Sequence, residues 1–211
     1  MIKILQIIGI IITVIGFFGF MTTTDVYDQV QKEVVEVLCL SCLKLDPTLP
    51  AEADFTFDTA TDGPHPDFIL DNLSSGIVFL HYSKDACAGC DVMLPTIQEI
   101  FSAEYGKQDM FQKQHLFNGS LIHYYYINID HTTEEFEQTL PIYDKENIEG
   151  LPMFTIITLF YDHGTVRPYY TSLYGTLGPD NDTPEKRYSY LTDLLDYSIG
   201  LWEENIPGYG P

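Results

Sequence analysis

An apolar run of strand length, Gly76-Ile-Val-Phe-Leu-His-Tyr82, leads through Ser83-Lys-Asp-Ala86 into Cys87-Ala-Gly-Cys90. Behind it Met93, Leu94, Ile97, Ile100 and Phe101 recur at helical spacing. A continuous apolar run fits a strand buried on both faces, so helices must cover the sheet it belongs to. The cysteine pair then lies at a strand-to-helix junction of an α/β architecture. The spacing predicts a short helix over 66–73 before that strand, a second strand over 121–129, and a helix from 132 to about 147 interrupted by Pro141. Residues 153–161 and 165–174 read as two more strands, joined by the turn signal Asp162-His163-Gly164. Thr183 as N-cap with Pro184 at the first helical position opens a last helix, with Tyr190, Leu191, Leu194, Leu195 and Trp202 on one face. The run Tyr124-Tyr125-Tyr126 alternates between the two faces of its strand, so at least one of these tyrosines is a core residue.

A chain of 211 residues with 45% hydrophobic content has enough apolar surface for a core, which excludes long-range disorder. Ten Lys and Arg against 31 Asp and Glu, a formal charge of -21, leave no cationic footprint for a phosphate backbone and exclude a nucleic-acid partner. Residues 1–21 read as a transmembrane anchor, because the stretch from Ile4 to Met21 is apolar apart from Gln6, Thr13 and glycines. No small-residue cleavage site follows it, which favours an uncleaved anchor over a signal peptide. Lys3 before the run and Asp25 and Asp28 after it put the C-terminal body outside the cytoplasm. Residues 22–65 form a second region. In it Val26, Val30, Val34, Val37 and Leu38 mark an amphipathic helix, Cys39 and Cys42 sit where that helix ends, and a proline-punctuated acidic linker follows. Residues 66–211 are the main domain.

The four cysteines form two C-x-x-C pairs, Cys39/Cys42 and Cys87/Cys90, which points to redox chemistry or metal binding rather than to a disulfide-stapled scaffold. A thiolate at a helix N-terminus is favoured by the aligned peptide dipoles, and this selects Cys87 as nucleophile. Cys90, one helical turn on, is the resolving thiol. The element order, together with Cys87-Ala-Gly-Cys90 followed by Pro95, Asn128-Ile-Asp130, Ile148-Glu-Gly-Leu-Pro152, and Gly164 and Gly175, resembles the thioredoxin family over roughly residues 66–204. The resemblance implies a thioredoxin fold, with a central mixed sheet of about four strands flanked by helices behind the anchor. It also implies a redox-active Cys87-Cys90 disulfide with no other cofactor and no metal, and a cis Pro152 that leaves the backbone at Leu151 open to an extended substrate strand.

Two departures from that pattern bear on mechanism. His81 stands six residues before Cys87, where the resemblance implies a buried acid. A neutral imidazole can pass the same proton, and the alternative is a strand histidine held by a hydrogen bond. Asp85 and Asp91 flank the pair and oppose thiolate formation. Cys39/Cys42 is open to three readings: a second redox pair exchanging with Cys87/Cys90, a local structural disulfide, or half of a four-thiol zinc site. The gap to Cys87 is far longer than the about 15 to 20 residues usual in such zinc sites. The expected function is a membrane-anchored, extracytoplasmic thiol-disulfide oxidoreductase whose partners are cysteine pairs of exported proteins. The alternatives are a metal-binding module using Cys87, Cys90 and His81 or His123, and a redox-silent interaction module.

Overall fold

The computed structural model describes residues 55–60, 64–107, 109–144 and 147–210. The apolar run at 4–21, the amphipathic helix behind it and Cys39/Cys42 lie outside the described residues. Among the described residues no helix is long and apolar enough to cross a membrane.

Helix α1 (Asp67–Leu73) precedes strand β1 (Ile77–Ser83), and helix α2 (Ala88–Phe101) follows it. Strands β2 (Phe111–Phe117) and β3 (Ser120–Asn128) form a hairpin, then come two short helices, α3 (Glu134–Glu137) and α4 (Thr139–Tyr143). A second hairpin, β4 (Met153–Asp162) and β5 (Thr165–Tyr174), leads through a 3-10 turn to the long helix α5 (Pro184–Asn205). The five strands make one mixed sheet in the order β2-β3-β1-β4-β5. β1 is its centre, parallel to β3 and antiparallel to β4.

All seven residues of β1 are buried, as a strand with helices on both faces must be. Alternation divides them between two cores. Ile77 and Phe79 point to the face covered by Met93, Ile97, Ile100 and Phe101 of α2 and by Leu191, Leu194, Leu195 and Ile199 of α5. Val78, Leu80 and Tyr82 point to the other face, against Ile69 and Leu73 of α1 and Tyr143 of α4. Thr183 caps α5 by accepting a hydrogen bond from the Lys186 N–H, and Pro184 occupies the first turn.

Two differences from the sequence expectation have physical causes. The sheet has five strands rather than about four, the extra one being β2, a strand whose side chains alternate between half-buried and exposed. Its apolar content is too low to announce a buried strand, but the turn behind it carries a sequence mark. Asn118 and Gly119 have φ of 50° and 93°, the two left-handed central positions of a hairpin turn for which Asn-Gly is the preferred dipeptide. The helix expected from 132 to about 147 is instead α3 and α4, with Gln138 between them and Pro141 inside α4. Within the stretch read as linker, Asp58 and Tyr170 of β5 exchange backbone N–H···O=C hydrogen bonds of 2.8 Å in both directions. Phe55 and Phe57 pack on the α2/α5 core, so the packed body reaches back at least to Phe55.

Candidate functional site

Strand β1 ends at Ser83, and a short loop returns the chain as α2, whose sheet-facing stripe begins with Cys90, Met93 and Ile97. Because α2 runs back over the sheet, the first turn of that stripe lies above the last residues of β1. Cys87 is the N-cap of α2 and is joined to Cys90 by a disulfide, with Cα atoms 5.2 Å apart. Cys87 is extended in backbone, and its Sγ accepts a hydrogen bond of 3.1 Å from the Cys90 N–H, one of the donors a helix start leaves without an intrahelical partner. Cys90 is more enclosed than Cys87, 1% against 7% exposed.

The peptide bond Leu151–Pro152 is cis. A Cβ at Gly89, between the two cysteines, would lie 3.0 Å from Pro152 Cδ and 3.4 Å from the Leu151 carbonyl oxygen. The cysteine turn and the Leu151–Pro152 loop therefore touch, and the glycine permits their close approach. A cavity of about 370 Å³ opens on the same loop, lined by Lys84, Ile129, Leu140, Pro141, Leu151 and Met153 among others. The sequence matches no protein-family model and no curated protein.

His81 is on the α2 side of β1, in alternation with Phe79, and is completely buried. Its Nδ1 is 3.3 Å from the Tyr124 hydroxyl, while Nε2 has no hydrogen-bond partner among the described residues. The rings of Tyr126 and Phe154 hold it at centroid distances of 5.1 and 4.8 Å. Burial pulls its pKa down to about 3, so the imidazole is neutral at physiological pH. Nδ1 thus has the hydrogen bond expected of a strand histidine, while Nε2 has none among the described residues. His123 lies in register with Val78, on the opposite face of the sheet, with its Nε2 2.9 Å from the Ser75 hydroxyl. The sheet separates it from Cys87 and Cys90, so it cannot join them around one metal ion.

The acids flanking the pair are tied into a surface network that local sequence reasoning missed. The Asp85 carboxylate accepts from Asn128 Nδ2 and His131 Nε2, both at 2.9 Å. The Asn128 bond, then the His131 bond, lowers the Asp85 pKa below the usual carboxylate value. Lys107 donates to the Asp85 carbonyl at 3.0 Å and forms an ion pair with Asp91. Asn128 Nδ2 also donates to the Lys107 carbonyl, and the Asp85 N–H donates to Asp130 at 2.9 Å. Each carboxylate therefore has a compensating donor or cation, which weakens its opposition to negative charge on Cys87. No sequence motif links residues 85, 91, 107, 128 and 131, because the ends of β1, α2 and β3 assemble them.

Proposed function

We propose that this chain is a thiol-disulfide oxidoreductase of thioredoxin-like fold, anchored in the membrane by residues 4–21 and acting on cysteine pairs of exported proteins. The mixed sheet with β1 between parallel β3 and antiparallel β4, flanked by helices on both faces, supports the fold assignment. The observation that carries the activity is the Cys87–Cys90 disulfide at the start of α2, packed through Gly89 against the cis Leu151–Pro152 loop.

In the reduced protein the Cys87 thiolate attacks one sulfur of a substrate disulfide. A mixed disulfide forms and the other substrate sulfur leaves as a thiolate. The Cys90 thiolate then attacks the Cys87 sulfur, closing the Cys87–Cys90 disulfide and expelling the second substrate thiolate. The substrate has gained two electrons and the pair has lost two. The same steps in reverse oxidise a substrate dithiol, and the direction is set by the partner's potential. The Cys90 N–H that reaches Cys87 Sγ stabilises negative charge on that sulfur, and the cavity beside Leu151, lined by Ile129, Leu140 and Met153 together with Lys84, Asp144 and Glu149, offers room for a substrate side chain.

The test is reduction of insulin by dithiothreitol with the full chain as catalyst. The native protein accelerates the reaction, and Cys87→Ser abolishes the acceleration. A Cys87→Ser protein as active as the native one, or a native protein with no activity above the uncatalysed reaction, overturns the proposal.

A further inference from the structure

A chain of hydroxyls leads away from His81. Its Nδ1 meets the Tyr124 hydroxyl at 3.3 Å, and the Tyr124 hydroxyl is hydrogen-bonded to that of Tyr105, which belongs to the loop after α2. Tyr124 is completely buried, whereas Tyr105 is only half-buried. Stacking fixes both rings: Tyr124 lies on Phe101 at 4.2 Å and Tyr105 on Phe111 at 5.0 Å. The inner end of this chain is His81, two residues before the end of β1 and between the rings of Tyr126 and Phe154, whose Nε2 has no hydrogen-bond partner among the described residues. We propose that Tyr124 and Tyr105 form a proton relay between His81 and solvent, through which the Cys90 thiol loses its proton when it resolves a mixed disulfide. The inference rests on the exchange reading above.

The step balances as follows. His81 Nε2 takes the Cys90 proton while His81 Nδ1–H passes its own to the Tyr124 oxygen. The Tyr124 proton moves to the Tyr105 oxygen, and the Tyr105 proton leaves to water. The Cys90 thiolate forms the bond to Cys87 Sγ, and the substrate sulfur departs with the electron pair. The relay is needed because a fully buried imidazole cannot hold the extra charge. It has to hand on one proton as it takes the other. Burial likewise holds both tyrosine hydroxyls well above their ordinary pKa, so they act as neutral carriers. The other titratable groups turned to this face are Tyr126 of β3, Cys90 of α2, and Lys113 and His115 of β2, Lys113 in register with Tyr124 and His115 against the Phe101 ring. Strand β4 presents Phe154, and α5 presents Leu191, Leu194, Leu195 and Ile199, none of which ionises.

The experiment uses the full chain with Cys39→Ser and Cys42→Ser, reduced and mixed with an aromatic disulfide whose thiolate product absorbs visible light. Attack by Cys87 releases one equivalent and resolution by Cys90 releases a second. Tyr124→Phe and Tyr105→Phe keep the rings and remove only the hydroxyls. The relay predicts that each leaves the first release unchanged and slows the second by about tenfold or more, below the roughly 10² to 10⁴ a positioned proton acceptor contributes in full. With the relay intact the second release is nearly flat between pH 6 and 8. In the tyrosine variants it rises about tenfold per pH unit, because Cys90 must then be deprotonated directly. A second release with native rate and pH dependence in both variants overturns the relay alone. Slowing of both releases by one common factor, the mark of a packing defect, also overturns it. A native protein that never yields a second equivalent overturns the exchange reading with it.

Discussion

His81 has a consequence for stability that does not depend on the redox reading. Its pKa is about 3 in the folded protein and near 6.5 in the unfolded chain. Between those values the unfolded state binds a proton that the folded state refuses. Its contribution is therefore fully present above the unfolded value and is lost as pH falls toward 3. Acidification from pH 7 to pH 5 should lower the free energy of unfolding by up to about 2 kcal/mol through this residue. His65, His115 and His123, also shifted down by burial, act in the same direction. The lowered carboxyl of Asp85 acts only below about pH 4, outside this window. Denaturant unfolding at the two pH values should show the loss, and His81→Phe should reduce it by its own share. An identical pH dependence in the variant would contradict burial of a neutral imidazole. At this scale much of the site was legible: the cysteine spacing, the helix start and the histidine six residues upstream all stand in one short segment. The hydroxyls and acids around them were not, because Tyr105, Tyr124, Lys107, Asn128 and His131 arrive from other elements.

At the scale of elements, the most constrained contact is between β1 and β3. A Cβ at Gly76, one residue before β1, would lie 2.1 Å from the Leu121 carbonyl oxygen, and a backbone atom cannot rotate out of the way. Gly76→Ala should push the start of β1 away from β3 and lower stability by about 1 to 3 kcal/mol, the range for overpacking. A midpoint shift in denaturant checks this, and an unchanged midpoint would contradict the close pairing. The elements read correctly from sequence are those with strong periodicity or a clear cap: β1 from its unbroken apolar run, α2 and α5 from their stripes, β4 and β5 from the turn between them. Strand β2 escaped because it is half-exposed. Its Lys113 reaches back to the Phe101 and Ser102 carbonyls, and its Leu116 is 70% exposed, so polar and apolar residues do not sort onto the faces a pattern search expects. The helix expected from 132 onward broke up because Pro141 cannot continue the hydrogen bonding of a long helix.

At the scale of the whole molecule, the formal charge of -21 sets association rather than fold, and it favours partners that are neutral or cationic near their cysteines. The proposed chemistry is local: two cysteines at the start of one helix would exchange disulfides, the outer one attacking and the inner one resolving. The most direct measurement is covalent trapping with the full chain, followed by mass mapping of the linked peptides. In Cys90→Ser the attack by Cys87 is intact but resolution is not, so mixed disulfides with client proteins accumulate through Cys87. Cys87→Ser, which lacks the attacking sulfur at the helix start, should trap none through Cys90. Trapping through Cys90 in the second variant would reverse the roles, and the absence of adducts through Cys87 in the first would contradict the account.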